Sequence, residues 1–308
     1  MPTAKHIAPQ VGYLPVAIVN AYLVGEPDAW ALVDTGIPHR FEWIKAACEN
    51  RFGENARPEA ILLTHGHFDH GGSALALASY WNVPIYVHPL EMPYVTGKSE
   101  YAPQDPTVGG AIAFASRFFP HTAADDLSNF VRPLPEDGSV PGLPGWTWHH
   151  TPGHTPGHVS FFREADRCLI AGDAFLTTDL DSWLDFLTKK PELARAPSPL
   201  TPDWPAARRS IEFLASLRPY TVACGHGIPM SGPHVAGALQ AFAEDFVAPL
   251  HGRYVPEPAV ANENGIVSVP PPVPDSLPKV AAGIGVAALL GAGIYAAAAG
   301  RRKNQRDD

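Results

Sequence analysis

Three observations predict an α/β or mixed α+β fold for this chain. Short apolar runs bounded by turn residues alternate with stretches of helical spacing from about residue 12 to residue 250. Hydrophobic residues make up 45% of the sequence and charged ones only 17%, enough for a packed core and unlike a disordered polyelectrolyte. Heptads, collagen-like glycine spacing and 20–50-residue repeats are all missing from the sequence, which excludes coiled coils and solenoids. The formal charge of −9 argues against a phosphate-backbone footprint, so no nucleic-acid partner is expected.

The elements follow in order. Ala17–Val24 and Trp30–Val33 read as two strands joined by the turn Gly25-Glu26-Pro27-Asp28. Phe41–Phe52 has helical spacing, with Phe41, Ile44, Ala47 and Cys48 on one face. Further strands are expected at Ala60–Leu63, Pro84–Val87, Gly145–Trp148, His158–Phe162, Cys168–Ala171 and Tyr220–Ala223. Helices are expected at Ser73–Tyr80, Trp204–Leu217 and His234–Val247. Cys48, Cys168 and Cys224 form no CxxC and suit a reducing compartment; Cys224 reads as a small buried strand residue rather than a nucleophile. Met1–Gln10 has no apolar core of a secretory signal.

Three stretches break the pattern and set the expected domain organisation, with residues 1–254 as the main domain. Residues 92–145 are an insert or lid of Pro- and Gly-punctuated loops, with one helix near Ala111–Phe119. Residues 255–278 hold seven prolines and read as a linker. Residues 279–300 contain Val280–Gly300, 21 residues without a charge, followed by a charged tail at 301–308. At 1.5 Å per residue that stretch matches a bilayer core of roughly 30 Å. It is expected to be a transmembrane helix anchoring a cytoplasmic catalytic domain, with Arg301 and Arg302 at the interface.

The chemistry is concentrated in Thr64-His65-Gly66-His67-Phe68-Asp69-His70-Gly71-Gly72, an HxHxDH string directly after an apolar strand. Imidazoles and carboxylates are good ligands for zinc and similar divalent ions. Four of them within six residues are more than one ion takes, which implies two. Three other strands end in a comparable turn: Trp146–His154 presents His154, Cys168–Asp173 ends in Gly-Asp, and Thr221–Gly227 ends in Gly-His-Gly. Glycine beside each donor allows close backbone approach or positive φ.

This ordered set resembles the metallo-β-lactamase fold superfamily over about residues 12–250. Thr155-Pro156-Gly157-His158 and Val33-Asp34-Thr35-Gly36 are most similar to its glyoxalase II-like branch. The resemblance implies an α+β fold, a four-layer αβ/βα sandwich with the site at one edge of two facing sheets, here followed by the C-terminal hydrophobic helix. It implies His65, His67 and His154 on a first metal, Asp69, His70 and His226 on a second, and Asp173 bridging them. Asp34 would steady the ligand loops, and His158 would support rather than ligate. His88, His149 and His150 are expected in loop or strand roles, and His6, His39, His121, His234 and His251 at the surface. Asp179, Asp181 and Asp185 read as a solvated loop face near the entrance.

The activity so implied is hydrolysis of a small-molecule ester, thioester or lactone by a metal-bridging hydroxide, with Asp173 and Asp69 as the catalytic carboxylates. The cofactors would be two divalent ions, zinc first, with Mn2+ or Fe2+ as alternatives. Glutathione thioesters are disfavoured, because Ser231–Gly252 contains no Lys or Arg to hold their carboxylates. Two rival expectations remain: a mononuclear iron oxygenase of the persulfide dioxygenase type, using His65, His154 and Asp173, and a non-catalytic membrane-bound scaffold. The sequence leaves the oligomeric state open.

Overall fold

The computed structural model describes residues 2–188 and 191–275. The first half of the chain builds β1 (Lys5–Ala8), β2 (Val11–Val16), β3 (Val19–Glu26) and β4 (Ala29–Val33), then α1 (Phe41–Phe52), β5 (Ala60–Leu62), α2 (Ala74–Trp81) and β6 (Ile85–Val87). The short helices α3 (Met92–Val95) and α4 (Ala111–Ser116) follow, and β7 (Val131–Pro133) closes this half. These strands form one sheet in the order β1-β2-β3-β4-β5-β6-β7, antiparallel up to β4 and parallel from β4 onwards.

The second half supplies β8 (Trp146–His150), β9 (Val159–Arg163) and β10 (Cys168–Gly172). A ribbon of β11 (Phe175–Leu176) and β12 (Ala194–Arg195) comes next, with α5 (Trp183–Thr188) between its strands. Then come α6 (Trp204–Ser216), β13 (Thr221–Cys224), β14 (Met230–Ser231) and α7 (Val235–Glu244). The second sheet runs β14-β13-β10-β9-β8, with β10 and β13 parallel.

The strand alternation produces the layers. In β3, Ala21 and Leu23 face a core shared with α1 and α2, while Tyr22 and Val24 face the opposing sheet. In β10, Cys168 and Ile170 face that same inter-sheet core, while Leu169 and Ala171 pack with Trp204, Ile211 and Leu214 of α6 and Leu239 of α7. The order is therefore helices, sheet, sheet, helices, as the resemblance implies. Both faces of the central strands are buried, which is why they read as continuous apolar runs. Each fully buried large side chain, such as Trp30 or Phe161, contributes about 1.5–3 kcal/mol of burial free energy.

Four features depart from the sequence reading. The strand expected at Ala17–Val24 straddles a turn: Val16 pairs with Val19, and Ala17 takes positive φ (65°) with no Gly, Asn or Asp to announce it. Residues 5–16, to which the sequence reading assigned no strand, form β1 and β2. The 92–145 insert is more than a lid, because its β7 pairs with β6 and extends the first sheet. Within the expected 255–278 linker, β15 (Val260–Asn262) and β16 (Gly265–Ser268) form a hairpin, whose Ile266 N–H donates to Ser99 Oγ at 3.2 Å. Ahead of the hairpin, the guanidinium of Arg253 donates to the Pro270 carbonyl. The expected membrane helix at 279–300 and the tail at 301–308 lie outside the described residues. Among the described residues, no helix is long and apolar enough to cross a membrane.

Candidate metal centre

Every sequence-predicted donor sits just past a strand end on one edge of the two sheets. The parallel strands β4 and β5 deliver Asp34 and the His65–His70 loop, and the parallel strands β10 and β13 deliver Asp173 and His226. The loop between β8 and β9 adds His154. Loops at the carboxyl ends of parallel strands are where open sheets place their ligands. The two sheets are stitched there by the β2–β3 hairpin: Asn20 Nδ2 donates to the carbonyls of Cys224 (2.9 Å) and Gly227 (2.8 Å), and Tyr22 OH donates to Cys224 O at 2.6 Å.

Two glycines are required by space. Gly172 has φ +55°, and a Cβ there would meet His158 Nε2 at 2.6 Å. A Cβ on Gly225 would overlap the Asp173 carboxylate and the His70 ring. Without these two glycines the strand ends could not bring Asp173 and His226 to the same point.

The donors converge as two triads. Ring nitrogens of His65, His67 and His154 lie together, with His65 Nε2 to His67 Nδ1 at 3.1 Å and His67 Nδ1 to His154 Nε2 at 3.0 Å. Nitrogens about 2.1 Å from one tetrahedral ion stand roughly 3.4 Å apart, so this spacing is close to that of a ligand set. Asp69, His70 and His226 form the second triad, and His65, His70 and Asp173 overlap both. Asp173 stands between them: Oδ1 is 3.6 Å from His70 Nε2, while Oδ2 is 3.6 Å from His154 Nε2 and 3.4 Å from His226 Nε2. Asp69 Oδ2 is 3.5 Å from His226 Nε2.

Hydrogen bonds behind the donors set which nitrogen faces the centre. His70 Nδ1–H donates to Asp34 Oδ2 at 2.8 Å, which turns its Nε2 lone pair inward. Asp34 also accepts from Thr64 N and Thr64 Oγ1, both at 2.8 Å, and Thr64 Oγ1 in turn lies 3.1 Å from His65 Nδ1. His226 Nδ1–H donates to Ile18 O at 2.8 Å. The inward-facing His70 Nε2 and Asp173 Oδ1 are buried with no hydrogen-bond partner. Buried polar atoms are almost always satisfied, so this pair fits residues that receive a cation. His158 has the supporting place its sequence suggests, with Nε2 accepting from Asp173 N at 2.9 Å and Nδ1 beside Thr151.

The electrostatics divide along the same line. Burial pushes His65 and His154 well below the ordinary imidazole range, assisted by neighbouring histidines, and lowers His67 to about 4. Neutral imidazoles are the metal-binding form. Burial also opposes charge on His226, but Asp173 and Asp69 outweigh it and lift the group to about 10. Burial raises Asp69, and His70 and His226 overcome that to hold it at about 2. The second triad is thus a knot of opposite charges in which protons stand where a cation would bind.

The structure also reveals a residue that sequence reasoning missed. Glu91 is fully buried, and its Oε1 accepts from Gly66 N (3.0 Å) and Tyr101 OH (2.5 Å). Its Oε2 accepts from Thr155 Oγ1 and Gly157 N, both at 3.0 Å. One carboxylate therefore ties the HxHxDH loop to the His154 loop. The sequence carries no signal for this, since a lone Glu in Pro89-Leu90-Glu91-Met92-Pro93 has no motif around it. Of the remaining histidines, His88 caps a turn through Leu90 N and stacks on His150, and His6, His39, His121, His234 and His251 are exposed. Asp181 is engaged with Arg195, while Asp179 and Asp185 gather with Glu192 in a separate, partly exposed acidic group. Cys224 is buried and unpaired in β13, as expected of a packing residue.

Comparison with known proteins agrees with this geometry. The family model described as Metallo-beta-lactamase superfamily matches residues 14–226. The chain is 45% identical over 234 residues to the probable metallo-hydrolase YflN of Bacillus subtilis (strain 168), covering 75% of this chain and 88% of that protein. Among solved structures it is similar to the BLEG-1 B3 metallo-beta-lactamase (26% identity, TM-score 0.50, 75% of this chain and 96% of that one). It shares its fold with a beta-lactamase domain protein from Burkholderia ambifaria (24% identity, TM-score 0.52, 79% and 78% coverage).

Proposed function

The chain belongs to the metallo-β-lactamase superfamily, and from that premise we propose that it is a dinuclear metallohydrolase acting on an ester, thioester or lactone carbonyl. Its metallo-hydrolase relatives support hydrolysis as the reaction class. The observation that carries the two-metal reading is Asp173, whose carboxylate stands within 3.6 Å of donors from both triads: Oδ2 beside His154 and His226, and Oδ1 beside His70. Two divalent ions bound here would supply a nucleophilic water ionised near neutral pH and a Lewis acid for the carbonyl oxygen. Zinc suits the nitrogen-rich first triad.

The chain's own residues do the rest. Asp34 and Thr64 hold the imidazoles of His70 and His65 in the tautomers that turn Nε2 inward. Asp173 spans the triads and fixes their separation. Asp69 is the more exposed of the two carboxylates, with 15% of its side chain accessible against 2% for Asp173, so it is the group suited to pass a proton to the cleft. Neither a serine nor a cysteine nucleophile is required, and the buried Cys224 thiol is pushed well above its ordinary range by burial.

The test is elemental analysis of the full chain beside His226→Ala. About two zinc or manganese per chain, falling towards one in the variant, with ester cleavage lost in His65→Ala and Asp173→Ala, is the expected result. One iron per chain, unchanged by the variant and accompanied by oxygen uptake, would replace this reading with an oxygenase.

A further inference from the structure

The cleft in front of the donors has walls of one chemical kind. Beyond the His and Asp residues of the centre, its described lining is Ile18, Phe68, Ile112, Phe119, Leu180 and Leu200, with Pro197 beside them. Ser, Thr, Asn, Gln, Lys and Arg are all missing from that lining among the described residues. The free space is about 20 Å³, room for one or two waters, so the apolar wall closes in directly beside the donors.

The walls are a built feature and not an extension of the three main cores. Ile112 and Leu180 form a satellite apolar cluster with Leu176 and Ala194, and Phe119 packs against it. Its two halves come from the 92–145 insert and from the segment after Asp173, joined where Ile112 N donates to Leu180 O at 3.1 Å and Ala111 N to Asp181 O at 2.9 Å. Phe68 is a spacer within the HxHxDH string, yet its ring packs on that of Phe119, with centroids 5.5 Å apart, and joins the wall. Two of the cations carried by these same segments are engaged elsewhere: Arg195 pairs with Asp181 at 3.0 Å and Arg117 with Asp275 at 2.7 Å.

Resting on the hydrolytic reading above, we propose that the acyl portion of the substrate is apolar and uncharged, seated against the wall formed by Phe68, Phe119, Ile112 and Leu180. A carboxylate at the far end of that acyl group would leave water for a wall whose described residues offer neither a side-chain donor nor a cation, with Asp69 nearby. Apolar groups gain from the same surface by burial alone.

The experiment uses the metal-loaded full chain and a matched pair of phenyl esters, hexanoyl and adipoyl, the second ending in a free carboxylate. The expected kcat/KM favours hexanoyl by about 100-fold, equivalent to about 2.8 kcal/mol at about 1.4 kcal/mol per tenfold. Phe119→Ala is expected to raise KM for hexanoyl. Ile112→Lys is expected to narrow or reverse the preference while metal content stays as in the parent. Equal or faster cleavage of the adipoyl ester overturns the proposal and leaves the hydrolase standing. A second measurement, calorimetric binding of hexanamide against adipamic acid, covers the case in which neither ester is cleaved. Preferential binding of hexanamide that Phe119→Ala abolishes would then keep the apolar site and sink the hydrolase. Absence of that preference sinks both.

Discussion

Glu91 is the residue whose removal reaches furthest from its own position. It gathers four donors from two ligand loops and from Tyr101, whose ring also lies 4.5 Å from that of His67. Burial raises its pKa, and the four hydrogen bonds oppose that rise. Glu91→Ala leaves those donors buried without an acceptor, at about 1 kcal/mol or more each, so a loss of about 3 kcal/mol is expected. Glu91→Gln keeps the size but turns an NH₂ group towards N–H and O–H donors, for a loss of about 1–2 kcal/mol. Both variants should bind zinc about 10–100-fold more weakly, because the imidazoles they support lose their aim. Urea unfolding and a zinc competition titration would measure the two effects; an alanine variant as stable as the parent would refute this account. Asp34 was legible in advance because it stands in a recognisable Val-Asp-Thr-Gly element, whereas Glu91 acts through partners 25 and 66 residues away.

Strand ends explain both what was legible among the elements and what was not. The central strands were legible because both faces are buried, and the donors because each follows such a strand within a few residues. The strand β7 was missed because it spans only Val131–Pro133, two of whose side chains are exposed. The hairpin of β15 and β16 is mostly polar or exposed, and the prolines that flank it, Pro256 and Pro258 before and Pro270 to Pro272 after, advertise a linker. The glycines beside the donors were read correctly as permitting close approach, and Gly225 makes the sharpest test of that. Gly225→Ala should fold, at a cost of about 1–3 kcal/mol for the overpacking. Its new methyl displaces Asp173 and His70, so elemental analysis should find the second metal of the proposed pair depleted. Parent-level metal content in that variant would contradict the argument.

At the scale of the whole molecule, the centre draws residues from both sheets: His65, His67, Asp69 and His70 from the first, and His154, Asp173 and His226 from the second. Ions bound there add stability to the folded state by mass action, about 4 kcal/mol at a thousandfold excess over Kd. A chelator should therefore lower the thermal midpoint, and the size of the drop should depend on pH. His226 is raised to about 10 in the folded chain, so its protonated form stabilises the metal-free protein fully below about 6.5, and this contribution is lost as pH rises through 10. The same proton competes with the metal, so binding strengthens as pH rises. Both effects have one sign: the chelator-induced drop should be smaller near pH 6 than near pH 8 in thermal scans. An equal drop at both values would remove His226 from the centre.

The separation between the segments that carry donors and those that wall the cleft has a consequence for descent. Selection can rewrite the wall at Ile112, Phe119 and Leu180 without touching a single donor, so a gene lineage can change its diet while inheriting its chemistry intact. Among the anchors that bound this freedom are Tyr101 and Val131, where the same insert is bound to Glu91 and to β6. A graft that respects such anchors carries a new appetite into an old catalyst.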